Sequence, residues 1–213
     1  MSRGLGDVYK RQNILSEAKA EFAETVRLRR HFHEYPELSN EEEKTIAFLE
    51  SYLKGLGLET VNVPDGGLLA ILDSGKKGRT LLMRSDTDAL PIKEETGAPY
   101  ASEKDGTMHA CGHDAHIAIL LGTAKVLAAM KDELTVTVRF LFQPAEEDIA
   151  NSGAAYMKDE PLVKECERLI ALHIWSKIPV GTASLRYGPV MSAADTFDVY
   201  IDGKGGHGAL PHQ

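Results

Sequence analysis

Cysteine is scarce in this chain, with Cys111 and Cys166 the only two. They could form at most one bridge, too few for the disulfide frameworks of small secreted domains, so a reducing compartment such as the cytoplasm is expected. Positive charge is also in short supply. With 24 Lys and Arg against 32 Asp and Glu, the formal net charge is −8. Such a chain lacks the concentrated positive field that displaces counterions from phosphates, which argues against nucleic acid as a partner. A basic run such as Arg27-Leu28-Arg29-Arg30 is short and reads as a solvated helix face. No stretch of about 18 apolar residues occurs, so neither a membrane span nor a membrane partner is expected. Residues 1–12 lack the apolar core of a secretory signal, and we read them as a leader outside the fold. Internal repeats and low-complexity segments are absent too.

What is present is a globular composition, 43% hydrophobic and 26% charged over 213 residues. At roughly 150 residues per domain, that is one domain and a remainder. From Asn13, apolar positions at Ile14, Ala18, Phe22 and Val26 recur at helical spacing into Arg30-His31, and Pro36 stops the pattern. A second helix reads from Ser39, as N-cap with Glu42 completing a capping box, to the terminating Gly55 and Gly57. Segments 67–72 and 79–84 are strand-like apolar runs, and the turn-forming residues 73–78 between them suggest a hairpin. After a polar loop over 91–107, Asp114 is positioned to cap a helix that buries Ile117, Leu120, Leu121, Ala124 and Ala128. Two further strands read over 134–142 and 168–174.

Strands separated by helices indicate an α/β fold, with a mixed, mostly parallel sheet flanked by helices and an antiparallel edge hairpin. Ligands of such sheets sit beyond the carboxyl ends of the strands. Asp86 and Asp88, Glu146 and Glu147, and His173 all fall at such ends, and the loop carrying Cys111 and His113 can join them. Thiolate, imidazole and carboxylate are the ligands of zinc and similar divalent ions. A lone cysteine or histidine is ordinarily a buried side chain. Here His109, Cys111, His113, Asp114 and His116 crowd into a single segment, which favours a metal. Glu146 and Glu147 point different ways at a strand end, so one can bind metal while the other faces substrate.

Five segments together resemble one family: Arg84-Ser-Asp-Thr-Asp-Ala-Leu-Pro-Ile92, Met108-His-Ala-Cys-Gly-His-Asp-Ala-His116, Phe142-Gln-Pro-Ala-Glu-Glu147, Leu172-His-Ile-Trp175 and Gly203-Lys-Gly-Gly-His-Gly-Ala-Leu-Pro-His212. They are similar to the di-metal amidohydrolases of the aminoacylase and carboxypeptidase type, in the branch of hippurate hydrolases and auxin-amino-acid-conjugate hydrolases. The resemblance implies a metallopeptidase-like catalytic domain over 13–192 and, over 193–213, the start of an inserted α+β lid or dimerisation domain. It implies Cys111, His113, Glu147 and His173 as ligands of two divalent ions, zinc or manganese, with cobalt or nickel as alternatives. Glu146 is implied as general base, Asp88 as a support of the metal ligands, and His207 as a lid histidine that acts on the oxyanion in the partner subunit of a homodimer. Asp86 stands where other branches carry a metal-binding histidine; Ser85 and Thr87 replace the commoner Ala and Met.

The implied reaction is hydrolysis of small N-acyl amino acids. The family's chains extend well past this length to a further histidine ligand, so the resemblance implies an N-terminal fragment with little hydrolysis of its own. Two rival readings are a cysteine-nucleophile amidase using Cys111 and a non-catalytic metal-binding or dimerisation protein.

Overall fold

The computed structural model describes residues 13–63, 66–192, 197–210 and 212, so the expected leader at 1–12 lies outside the described residues. Residues 13–20 are helical, and helix α1 follows at Phe22–Glu34. The apolar line read through Ile14 and Phe22 is not the buried one, since these are 43% and 69% exposed. Leu28 and Phe32, one turn apart, face inward instead. A helical repeat permits more than one such line, and the neighbour packed against the helix selects among them.

Helix α2 spans Glu43–Gly55, and strand β1, Glu59–Val63, was not foreseen. The expected capping box does not form. Glu42 occupies the N-cap position without a side-chain cap bond, because both Ser39 and Glu42 turn their side chains to the site described below.

Strands β2 (Gly67–Leu72) and β3 (Thr80–Asp86) are separated from β4 (Thr137–Gln143) by helix α3 (His113–Ala129). Short helices α4 (Gly153–Met157) and α5 (Pro161–Lys164) lead to β5, Arg168–Ala171. The sheet is mixed, in the order β1-β2-β4-β3-β5. The hairpin expected between 67–72 and 79–84 is therefore wrong. β4 lies between β2 and β3, antiparallel to the first and parallel to the second. An apolar period of two tells which face a residue occupies but not which strand lies beside it. The antiparallel edge hairpin is β1 with β2, and β3 runs parallel to both β4 and β5.

Alternation along β2 and β4 separates the two faces of the sheet. Leu68, Ala70, Leu72, Val138, Phe140 and Phe142 join α1, α2 and α3 in the main core, and Leu69 and Leu141 pack with Met157 of α4 on the other side. Helix α3 was expected to be capped by Asp114, but it starts at His113 from Gly112, which is left-handed (φ 90°). Asp114 is instead buried, where it accepts hydrogen bonds from Arg29 and pairs with His33. Because the helix begins one residue before it, Asp114 is the second helical residue and not the N-cap.

The chain divides into two compact units that meet between Ile174 and Trp175. In the second, turns such as those closed by Ile178 on Trp175 and by Leu210 on His207 are present, and no helix or strand forms among the described residues. No helix among the described residues is long and apolar enough to cross a membrane.

Candidate metal centre

The parallel arrangement of β3, β4 and β5 brings their carboxyl ends to one edge of the sheet, and each continues into a candidate residue. Asp86 ends β3, with Asp88 two residues on. Pro144-Ala145-Glu146-Glu147 follows β4 and His173 follows β5. The fourth contribution is the loop entering α3. Gly112 is required there because its backbone is left-handed and a Cβ would lie 2.2 Å from Cδ1 of Ile174.

His113 is the hub. Its ligand atoms lie within 4.8 Å of those of Cys111 and His173 in one group, and of those of Glu146 and Glu147 in another. Cys111 Sγ is 3.5 Å from His173 Nε2. His113 Nε2 is 3.7 Å from Glu147 Oε1 and 3.8 Å from Glu146 Oε2. On the opposite side of the ring, Nδ1 lies 2.9 Å from the Asp88 carbonyl oxygen and 3.1 Å from Asp88 Oδ1. Both are acceptors, so Nδ1 carries the proton and the Nε2 lone pair points into the cluster, the usual orientation of a ligating histidine. His113 Nε2 and Glu147 Oε1 are both buried without a hydrogen-bond partner among the described residues. Leaving two such atoms unmatched is costly, and one cation satisfies both. The residues therefore fit a divalent metal.

A third group, Asp86 with His113 and His116, has ligand atoms equally close together, but its chemistry differs. His116 Nδ1 is 2.6 Å from Asp86 Oδ1, and His116 Nε2 accepts from the Ile174 amide at 2.9 Å. Both nitrogens are used, so His116 buttresses the segment that bears His173. Asp86 also accepts from Arg84. Burial opposes ionisation of Asp86, but His116, His113 and Arg84 overcome it and hold the carboxyl at about 2. The sequence shows His116 only as one of a cluster; its spacing three residues after His113 places it on the same helix face. Arg84 carries no comparable signal.

Protonation preferences divide the candidates by role. Burial, then the carboxylates of Glu147, Glu146 and Asp86, pushes the Cys111 thiol up to about 12. A nucleophilic cysteine needs neighbours that lower its pKa, so this environment argues against the amidase that uses Cys111 as nucleophile. A metal reverses that logic, because a coordinated thiol is deprotonated. Burial disfavours the charged form of His113, but Asp88, Asp86 and Glu147 outweigh it and raise its pKa. Glu146 is raised by burial and by Asp86 and Glu147, against the opposing pull of His113 and Arg84. His109 is driven down to about 4 by burial, so it stays neutral beneath the site.

Cys166 provides an internal control. Its thiol donates to the Leu162 carbonyl at 3.3 Å and sits beside Arg139, among the packing of α5. Cys111→Ser is expected to lower bound zinc or manganese per chain well below the level of Cys166→Ser, as read by elemental analysis after dialysis. Equal metal in the two variants would remove Cys111 from the ligand set. His207 lies in the second unit, where its Nδ1 accepts from the Ala209 amide at 3.2 Å.

Comparison with known proteins shows the family. The description "Peptidase family M20/M25/M40" matches residues 82–206. An N-acetyl-L-cysteine deacetylase of Bacillus subtilis (strain 168) is 46% identical over 188 residues, covering 88% of this chain and 45% of the relative. An N-acyl-L-amino acid amidohydrolase of Geobacillus stearothermophilus is 42% identical over 203 residues, covering 95% and 54%. The crystal structure of the YXEP protein of Bacillus subtilis, described as a dinuclear metal binding peptidase from the M20 family, superimposes with a TM-score of 0.75 at 40% identity, covering 80% of this chain and 48% of that one. The chain thus spans about half the length of the curated relatives it matches.

Proposed function

The chain belongs to peptidase family M20/M25/M40, and on that premise we propose that it forms part of a metal-dependent amidohydrolase that cleaves the amide of N-acyl amino acids to a carboxylate and an amino acid. The observation that carries this reading is the pair of buried, unpartnered atoms, His113 Nε2 and Glu147 Oε1, facing each other at 3.7 Å beside Cys111 and His173. In our reading Cys111, His113, Glu147 and His173 hold two divalent ions, zinc or manganese, or else cobalt or nickel. Such ions supply Lewis-acid polarisation of the scissile carbonyl and a lowered pKa for water.

The protein's own residues do the rest. Glu146 takes the proton of the attacking water and delivers it to the departing amine, which cannot leave as an amide anion; a carboxyl raised above its ordinary range suits both transfers. Asp88 holds the His113 ring in the one orientation that presents Nε2. The names of the relatives, which specify N-acetyl-L-cysteine and N-acyl-L-amino acids, support the substrate class. We further assign residues 13–192 to the catalytic domain and 193–213 to the start of a lid. In this reading His207 of the lid acts on the developing oxyanion of the partner subunit in a homodimer, and the protein resides in the cytoplasm, a compartment compatible with its free cysteines.

The test is release of free amino acid from N-acetyl-L-cysteine and other N-acetyl amino acids, assayed on the chain and on a version extended to the length of its relatives. Activity should vanish with EDTA and return with zinc or manganese. A protein that binds metal and hydrolyses none of these in either form would be a metal-binding protein without catalysis. For His207, mixed His207→Ala and Glu146→Gln proteins of full length should regain activity in heterodimers, where one chain supplies each residue. Heterodimers that form and stay inactive would rule out action in trans.

A further inference from the structure

The segment Ser39-Asn40-Glu41-Glu42, which looks in sequence like an ordinary helix start, is bonded instead to the turn carrying Glu146 and Glu147. Glu42 is buried, and its Oε1 accepts the Ala145 amide at 2.8 Å across 103 residues of sequence. Ser39 Oγ donates to Asp88 Oδ2 at 2.7 Å, the same oxygen that accepts the Glu147 amide at 2.9 Å. Asn40 Nδ2 donates to Asp148 Oδ2 at 3.3 Å. Backbone conformation marks the same two segments. Among the described residues, positive φ outside glycine occurs only at Asn40 (φ 64°) and Ala145 (φ 50°). Alanine has no side-chain bond with which to stabilise that conformation, so its surroundings must hold it there.

From this juxtaposition we propose that Glu42 is a positioning residue. By accepting the Ala145 amide it fixes the left-handed turn that aims Glu147 at the metal and Glu146 at the substrate, and Ser39 steadies Asp88 as the second anchor of the turn. The inference rests on the metal-centre reading above. It explains why a carboxyl is buried at a helix start that leaves its own cap unmade. Burial raises the Glu42 carboxyl to about 7, against the amides of Ala145, Glu42 itself and Asn40. What the turn requires is thus an acceptor oxygen, and glutamine supplies one without the charge.

The experiment compares Glu42→Gln with Glu42→Leu in the chain as it stands, reading Co²⁺ affinity, the Co²⁺ absorption spectrum and amide hydrogen exchange over residues 144–148. Glu42→Leu is expected to lose about 10–100-fold in Co²⁺ affinity, the usual cost of removing a partner that orients a ligand. It should also alter the spectrum and accelerate exchange at the Ala145 and Glu147 amides. Glu42→Gln is expected to restore all three to near wild-type values. Folded Glu42→Leu with wild-type affinity, spectrum and exchange overturns the proposal. So does a Gln variant as impaired as the Leu variant, since the acceptor would then not be the operative group. If Glu42→Leu does not fold, Ser39→Ala takes its place and is expected to speed exchange at Glu147 and weaken Co²⁺ binding; no change in either overturns the proposal. The exchange measurement needs no metal. Failure of the wild-type chain to bind Co²⁺ would therefore count against the metal reading, and unchanged exchange in Glu42→Leu against the positioning role.

Discussion

In a version of the protein extended to the length of its relatives, replacing Glu146 by Gln is expected to leave the metal content unchanged and to lower amide hydrolysis by at least about 10²–10⁴-fold, the range a general base contributes. The two adjacent glutamates are nearly equidistant from His113 Nε2, so distance alone does not separate them. Burial does. The Glu147 side chain is 22% exposed, and its Oε1 is buried with no hydrogen-bond partner among the described residues, whereas the Glu146 side chain is 40% exposed. A ligand oxygen belongs in the first environment and a group that exchanges protons with substrate in the second. Glu147→Gln should accordingly lose metal together with activity, because an amide oxygen is a weaker ligand than a carboxylate. Metal analysis and turnover on the same preparations check both; metal lost from Glu146→Gln and kept by Glu147→Gln would exchange the two roles.

The second large effect is expected at Asp88. This fully buried carboxylate receives the Ser39 hydroxyl, the Glu147 amide and, beside its own carbonyl, the His113 ring. Asp88→Ala leaves the hydroxyl and the amide, both half-buried, without their acceptor, which costs less than the roughly 1–3 kcal/mol of a fully buried group left unmatched. It should also reduce metal affinity by about 10–100-fold through loss of ring orientation. Acidity reports on the same residue. Burial alone would raise the Asp88 carboxyl, but the bonds from His113, the Glu147 amide and Ser39 overcome it and lower its pKa. A group depressed in the folded state stabilises the fold above its unfolded pKa, and this contribution is lost as pH falls through the folded value. Wild-type protein should therefore lose more stability than Asp88→Asn between neutral pH and acid below the ordinary carboxylate range, as measured by urea unfolding. Parallel losses in the two proteins would show that Asp88 carries no such stabilisation.

Much of this molecule is legible in one dimension because its information is local. A short continuous apolar run marks β2 and a β-prone one marks β4, helical spacing marks α3, and the residue types around Cys111 and at 146–147 announce a metal. The strand ends at Asp86, Gln143 and Ala171 lie next to their site residues in sequence, so a parallel sheet alone suffices to bring those residues to one edge. Partner choice is not local. That β4 enters between β2 and β3, that Asp114 pairs with His33 rather than capping α3, and that Ser39 and Glu42 bond Asp88 and the Ala145 amide rather than capping α2 depends on contacts across 49 to 108 residues. A serine followed three residues later by a glutamate reads as a capping box because those groups must bond something. Which partner each meets is settled only in the tertiary structure, where the Ser39 hydroxyl donates to Asp88 and Glu42 accepts the buried amide of Ala145, which arrives from the far end of β4.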